Sequence, residues 1–441
     1  MRRVLLLALL AAVPAGALAK PKGEPAPTAT TAVAPAPSAR DLAKAEEAKK
    51  AAFAEYETQL ASGQKARAAD ALVALVNDAA QAPYHGEAYG KLGDLFLQLD
   101  LPYAALTAWT RAFAAADATN VAEIGTYVPK ALATAKKVGD TAILQEPFSK
   151  NLGLARTEDV RGEMAYYAAK EAFHDKSYGL ALGMLKMVKE GDPVYPDAKA
   201  LEGVILNQQS RPNDALTPFE AAQKSGRDKD QRFKDLVSLN LARSYYAAEN
   251  FPRAIQAYAS VSRESEFWPQ AQFERAWSHF RIDDLNGTLA VLYSLDTPFF
   301  TDWYFPEADL LRVYSMFLMC KFPEADKEIA AFREGYKGTY EALRGWSGKS
   351  AKDSFALARG FVETGKADPL PVSILRPYAS EERLLGVIDA VKSAEDELDR
   401  MKAVAANPFT EAARDWVTAR RDELVKTEGE RIGARIAEQE A

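Results

Sequence analysis

The sequence predicts an all-α fold: a right-handed solenoid of about seven stacked helical pairs, closed by a C-terminal helical hairpin or cap. Three observations carry that prediction. Apolar residues recur at i, i+3, i+4 and i+7 through nearly the whole chain, the period of a helix with one buried face. No stretch combines period-two alternation with β-branched enrichment, so no sheet competes. Small residues also recur at a fixed interval, with Ala169 and Gly203 thirty-four residues apart and Ala242 and Ala276 likewise. A period of that length marks a repeat architecture, in which each pair buries its apolar side against its neighbours.

The units follow in order. In residues 87–114, Tyr89, Leu92, Gly93 and Phe96 belong to a first helix, and Ala105, Trp109 and Ala112 to a second. Ala169 is followed by Ala172, Ala181 and Leu185, with Pro193 where the unit ends. Gly203 leads to Leu206, Ala215, Phe219 and Ala222; Ala242 leads to Tyr245, Ala254 and Tyr258. Ala276 precedes an Asn286-Gly287 turn, and Val313 precedes Phe322, Ala325 and Ile329. Small residues let two helices cross closely, and bulky ones fill the adjoining gaps. This arrangement resembles the tetratricopeptide repeat (TPR), and the resemblance covers residues 43–336, about two-thirds of the chain. Within it, residues 121–146 are expected to hold a degenerate unit and residues 43–77 an opening pair.

The chain opens with Met1-Arg2-Arg3, an apolar run over residues 4–13 and Ala17-Leu18-Ala19, which reads as a secretory signal peptide over residues 1–19. Residues 20–40, rich in Ala, Pro and Thr, bury too little to order themselves and are expected to form a tether. These features place the solenoid in the periplasm, with no further apolar run long enough to span a bilayer. The net charge of −7, with no basic block, argues against nucleic acid. The single cysteine, Cys320, has no partner for an internal disulfide and lies in an apolar run, so it is expected in the core.

The TPR resemblance implies that the first helix of each unit lines a concave groove. In the first strong unit the inward positions are Glu87, Gly90, Asp94 and Leu97. Later units place Tyr166 and Phe173, then Leu239 and Tyr246, then Phe273, Trp277 and Phe280, then Leu310, Tyr314 and Phe317. Such an aromatic groove suits an amphipathic helix or an apolar peptide, or else its rings pack on neighbouring helices. Between two units, residues 297–306 carry Phe299, Phe300, Trp303, Tyr304 and Phe305, either a plug folded back on the solenoid or a partner-binding hot spot.

Residues 337–441 lose the repeat phase. Residues 381–404 read as one helix striped by Leu384, Ile388, Val391, Leu398 and Met401, and Pro408 starts another that runs close to the end. The two suit an antiparallel hairpin that caps the solenoid, a coiled-coil homodimer, or an internal occupant of the groove. No catalytic constellation emerges. His85, His174 and His279 are widely spaced, which gives no metal cluster, and residues 345–350 end in Gly-Lys-Ser but lack the leading glycine and strand of a phosphate loop. A lytic transglycosylase would need a protonated Glu beside a substrate shelf and that family's Glu-Ser and Gly-Leu-Met-Gln signatures. The sequence therefore predicts a non-catalytic scaffold, without cofactor or metal, that binds other envelope proteins. Its overall look resembles periplasmic TPR components of motility or secretion machines in Gram-negative gliding bacteria. The competing class is a glycan- or lipid-binding protein.

Overall fold

A computed structural model describes residues 39–155, 158–297, 300, 303–404 and 406–440. The signal-peptide segment and nearly all of the tether lie outside the described residues. The chain divides into two compact units, residues 1–48 and 49–441. Of the first, residues 39–48 are described and are helical.

Among the described residues every regular element is a helix, and the fold is an all-α, TPR-type solenoid. The chain begins with α1 (Ala39–Ala61), α2 (Lys65–Asn77), α3 (His85–Gln98) and α4 (Pro102–Ala114). A broken stretch follows: α5 (Val121–Ile124), α6 (Val128–Val138) and α7 (Gln145–Lys150). Regular pairing resumes with α8 (Glu158–His174) and α9 (Tyr178–Leu185), α10 (Tyr195–Gln208) and α11 (Pro212–Ser225), and α12 (Gln231–Ala247) and α13 (Phe251–Ala259). Then come α14 (Trp268–Arg281) with α15 (Leu285–Leu295), and α16 (Pro306–Leu318) with α17 (Phe322–Trp346).

The small residues explain why each pair crosses closely. A Cβ added to Gly93 would collide with the Trp109 indole, and one on Gly203 would lie 2.6 Å from the Phe219 ring. Ala169, Ala242 and Ala276 occupy the same place and are fully buried. The turns repeat as faithfully. Asp100, Lys176, Ser210, Glu249, Asp283 and Cys320 all adopt left-handed backbone, with φ between 57° and 62°. At each of these turns the next residue's N–H bonds back to the carbonyl five positions earlier, as Leu101 does to Phe96 and Asn250 to Tyr245. This is the Schellman ending of a helix, used here to reverse the chain. Gly63 closes the α1–α2 turn in the same way. Cys320 is therefore exposed at a turn rather than buried in the core. The apolar run around it is real, but the reversal at that position lifts its side chain out.

Residues 121–154 hold helix but not a clean pair. Gly139 (φ 81°) ends α6, and Ile124, Leu144, Phe148 and Leu154 turn inward to fill the gap before α8.

The C-terminal part begins where α17 ends at Trp346. It comprises α18 (Ala351–Thr364), α19 (Val372–Leu375), α20 (Glu382–Met401) and α21 (Pro408–Glu440). The Gly-Lys-Ser stretch is the start of α18: Ser350 accepts from the Asp353 N–H, and the Asp353 carboxylate accepts from the Ser350 N–H, a capping box. α20 and α21 form the expected hairpin, and it packs within the chain at both of its ends. Leu384, Ile388, Val391, Leu424, Ile432 and Ile436 share a core with Leu343, Phe355 and Phe361 of α17 and α18. Leu398, Met401, Phe409, Ala413 and Val417 belong instead to the core of the first repeats. At 1.5 Å per residue α21 is about 50 Å long, enough to tie the last pair to α2 and α4.

Candidate protein-binding surface

The eight groove aromatics divide by how much room the C-terminal part and the neighbouring helices leave them. Tyr166 and Phe173 on α8 pack against the core of the first repeats. Burial pushes the Tyr166 phenol well above its ordinary range. Phe173 rests on Tyr178 with ring centroids 6.0 Å apart. Tyr246 on α12 is half-buried, edge-on to Phe251 at 5.4 Å, with the Arg281 guanidinium over both rings. Phe273 on α14 is a core residue, 2% exposed and stacked on Phe305 at 5.7 Å. It offers nothing to a partner, because the plug segment covers it.

The remaining four rings do form a surface. Trp277 meets Phe280 edge-on at 5.7 Å, and Phe280 meets Tyr314 at 5.6 Å. From there the rings come into the open: Tyr314 is 48% exposed and Phe317 56%. Leu310 beside them is 53% exposed, and Phe322, edge-on to Phe317 at 5.4 Å, is 50% exposed. Together with Ile329 they line a hollow of about 430 Å³ whose one charged wall group is Asp326. The sequence placed Phe322 on the second helix of the last unit and did not count it among the groove residues. In a mid-solenoid unit the next pair covers that position. Here α17 is the last second-helix, and α18 and α21 cover only its far end, around Leu343 and Trp346.

The insert behaves as a plug wherever it is described. Phe300 stacks on Trp268 at 4.7 Å, and Trp303 lies parallel to Phe305 at 6.0 Å. Tyr304 is edge-on to Tyr336 at 5.5 Å and donates its O–H to the Gln439 carbonyl at 3.5 Å. Phe299 lies outside the described residues.

Three of the first unit's four inward positions are used internally, and Leu97 stays 38% exposed. Asp94 accepts from Lys130 at 2.8 Å, Glu87 pairs with Lys49 at 2.5 Å, and a Cβ on Gly90 would strike the Tyr127 ring. The histidines stay on separate elements, with His279 Nδ1 2.8 Å from Asp284 and His85 Nε2 3.0 Å from the Asp78 carbonyl. Among the described residues no helix is long and apolar enough to cross a membrane. The hollow between α16 and α17 is walled by apolar and aromatic side chains, with Asp326 as its charged group, and is suited to burying an apolar face.

No protein-family model matches the chain, and no curated protein matches it. Among solved structures it is similar to a Rap protein complexed with Competence and Sporulation Factor, at 12% identity over 82% of this chain and 99% of that one, with a TM-score of 0.33. The apo form of RapI gives 12% identity over 80% and 98%, with a TM-score of 0.32. The TPR domain of P58(IPK) gives 15% over 86% and 98%, with a TM-score of 0.22. Scores of that size align helices without equating whole architectures, so the fold assignment rests on the repeated crossings and turns described above.

Proposed function

We propose that this chain is a non-catalytic scaffold that holds partner proteins on the apolar surface of its last two helical pairs. One observation carries the reading. Leu310, Tyr314, Phe317 and Phe322 stand side by side, each about half exposed, around a hollow that no other part of the described chain fills. A contiguous apolar patch of this kind marks an interaction site, and aromatic side chains dominate binding energy at such sites. The signal-peptide pattern supports a periplasmic setting, and we assign the scaffold to an envelope-spanning assembly such as a motility or secretion machine.

The test is a crosslinked pull-down from the native envelope, comparing the natural chain with Phe317→Glu. Loss of specific envelope proteins, with helicity and melting unchanged, supports the scaffold. Retention of every partner removes this surface from consideration. Cell fractionation with and without residues 1–19 tests the compartment. The hollow's volume also falls within the range of small-molecule pockets, which favours an acyl chain or sugar ring as a second reading. A native mass spectrum of the purified chain separates the two, because only a small ligand adds discrete mass.

A further inference from the structure

The last second-helix, α17, is buried only at Ala325 near its start and at Leu343 and Trp346 near its end. Between them Asp326, Ala330, Arg333, Lys337 and Tyr340 all lie exposed. Helical spacing sets Phe322, Asp326, Ile329, Arg333 and Tyr340 on one strip, with Lys337 beside it. The charges on that strip are divided by sign. Asp326 stands in the half that walls the hollow, and Arg333 and Lys337 stand in the other half. Among the described residues none of these three side chains has an ionic partner. We propose that α17 is a homodimer interface, in which the α17 helices of two copies of this chain pair antiparallel about a two-fold axis at Ile329 and Ala330. This names a partner for the apolar surface and rests on reading that surface as an interaction site.

The strip complements itself under that axis. Ile329 faces Ala330 of the partner copy, Asp326 faces its Arg333, and Phe322 faces its Lys337, each pairing occurring twice. A parallel pairing would instead set Asp326 against Asp326, so the charges select the antiparallel arrangement. Ala330 at the axis lets the two helices approach closely. Tyr340, 51% exposed, supplies the apolar cover. At 1.5 Å per residue it lies about 16 Å from the axis, and Phe322 lies about 11 Å from it on the other side. Tyr340 of the partner copy therefore arrives within one helical turn of Phe322, at the edge of the hollow where Phe322 meets Phe317. A repeat stack must cover its last apolar face, and a second copy meets that need with groups this chain already carries.

The experiment is sedimentation equilibrium of the full chain over roughly 1–100 μM. A reversible dimer is expected. Asp326→Arg and Arg333→Asp, each made alone, should raise its dissociation constant by about tenfold or more, because each sets like charges together at two symmetry-related places. Both substitutions in one chain exchange the signs and should restore the dimer. Both positions are exposed, so helicity should not change in any variant. A natural chain that stays monomeric throughout overturns the proposal, as does a dimer that neither single substitution weakens or that the double exchange fails to restore. The envelope pull-down fails separately. A monomer whose Phe317→Glu variant still loses envelope proteins keeps the scaffold and removes the second copy. A dimer that follows the charge exchange while the pull-down captures nothing keeps the second copy and removes the scaffold.

Discussion

Arg420 on α21 and Asp140, which follows α6, are joined by two hydrogen bonds of 2.8 and 2.9 Å across 280 positions of sequence. Tyr103 of α4 donates its O–H to the same carboxylate at 2.7 Å. One carboxylate thus binds a C-terminal helix and a first-repeat helix together. Beside it Trp416 sits among Tyr89, Phe96 and the Arg111 guanidinium, the last 3.8 Å from its ring centre. Asp140→Ala leaves a largely buried guanidinium and a buried phenol without this acceptor. The expected loss is about 3–5 kcal/mol in urea unfolding, because breaking a buried pair strands the remaining charge.

The close helix crossings make the small residues demanding. Gly93→Ala sets a methyl against the Trp109 indole, and Gly203→Ala sets one against the Phe219 ring. Each should destabilise by about 1–3 kcal/mol, the range for overpacking a filled core. Gly183→Ala, where nothing lies within 4 Å, is the control and should not destabilise. Thermal unfolding of the three variants side by side checks the order.

The aromatic face separates into residues that stabilise and residues that are free to bind. Phe273→Ala, in the core beneath Phe305, should cost about 3–5 kcal/mol. Phe317→Ala, more than half exposed, should change stability by no more than about 0.5–1 kcal/mol while weakening partner capture. Equal destabilisation by both substitutions would mean that the outer rings are also core.

The left-handed turn positions are open to improvement. Glu249 holds φ 58° with an L side chain, a conformation that glycine adopts without steric penalty. Glu249→Gly should raise stability by about 0.5–1 kcal/mol, the relief of strain exceeding the extra freedom gained by the unfolded chain. Arg281, whose guanidinium lies 3.5 Å from the exposed Glu249 carboxylate, loses little by the change. A melting curve decides it.

The crossings were legible because Gly93 with Trp109, or Ala242 with Tyr258, must be near each other in any helical pair of that phase. The turns at Asp100, Lys176 and Cys320 were not legible, since none carries the glycine or asparagine that usually marks a left-handed cap. Cys320 was misplaced for that reason: its apolar neighbours say helix, but one residue of reversed backbone takes it out of the helix face. The aromatic face was half legible. Periodicity placed Phe273 and Leu310 at equivalent positions of successive units, one 2% and the other 53% exposed, and it carries no information about what lies on top of each.

The sequence by itself determined the helical class, the period, the pairing of small and bulky positions and the existence of two long C-terminal helices. Those properties are local, set by contacts within one pair or between adjacent pairs. Tertiary structure alone decided that α21 returns to the first repeats, that the Glu397 carboxylate of α20 accepts the Tyr103 and Ala104 N–H groups at the start of α4, and that Tyr314, Phe317 and Phe322 stay uncovered within the chain. These depend on surfaces hundreds of residues apart meeting in space. An apolar stripe specifies that it must be buried, but the stripe on α21 does not specify which of several apolar faces will bury it.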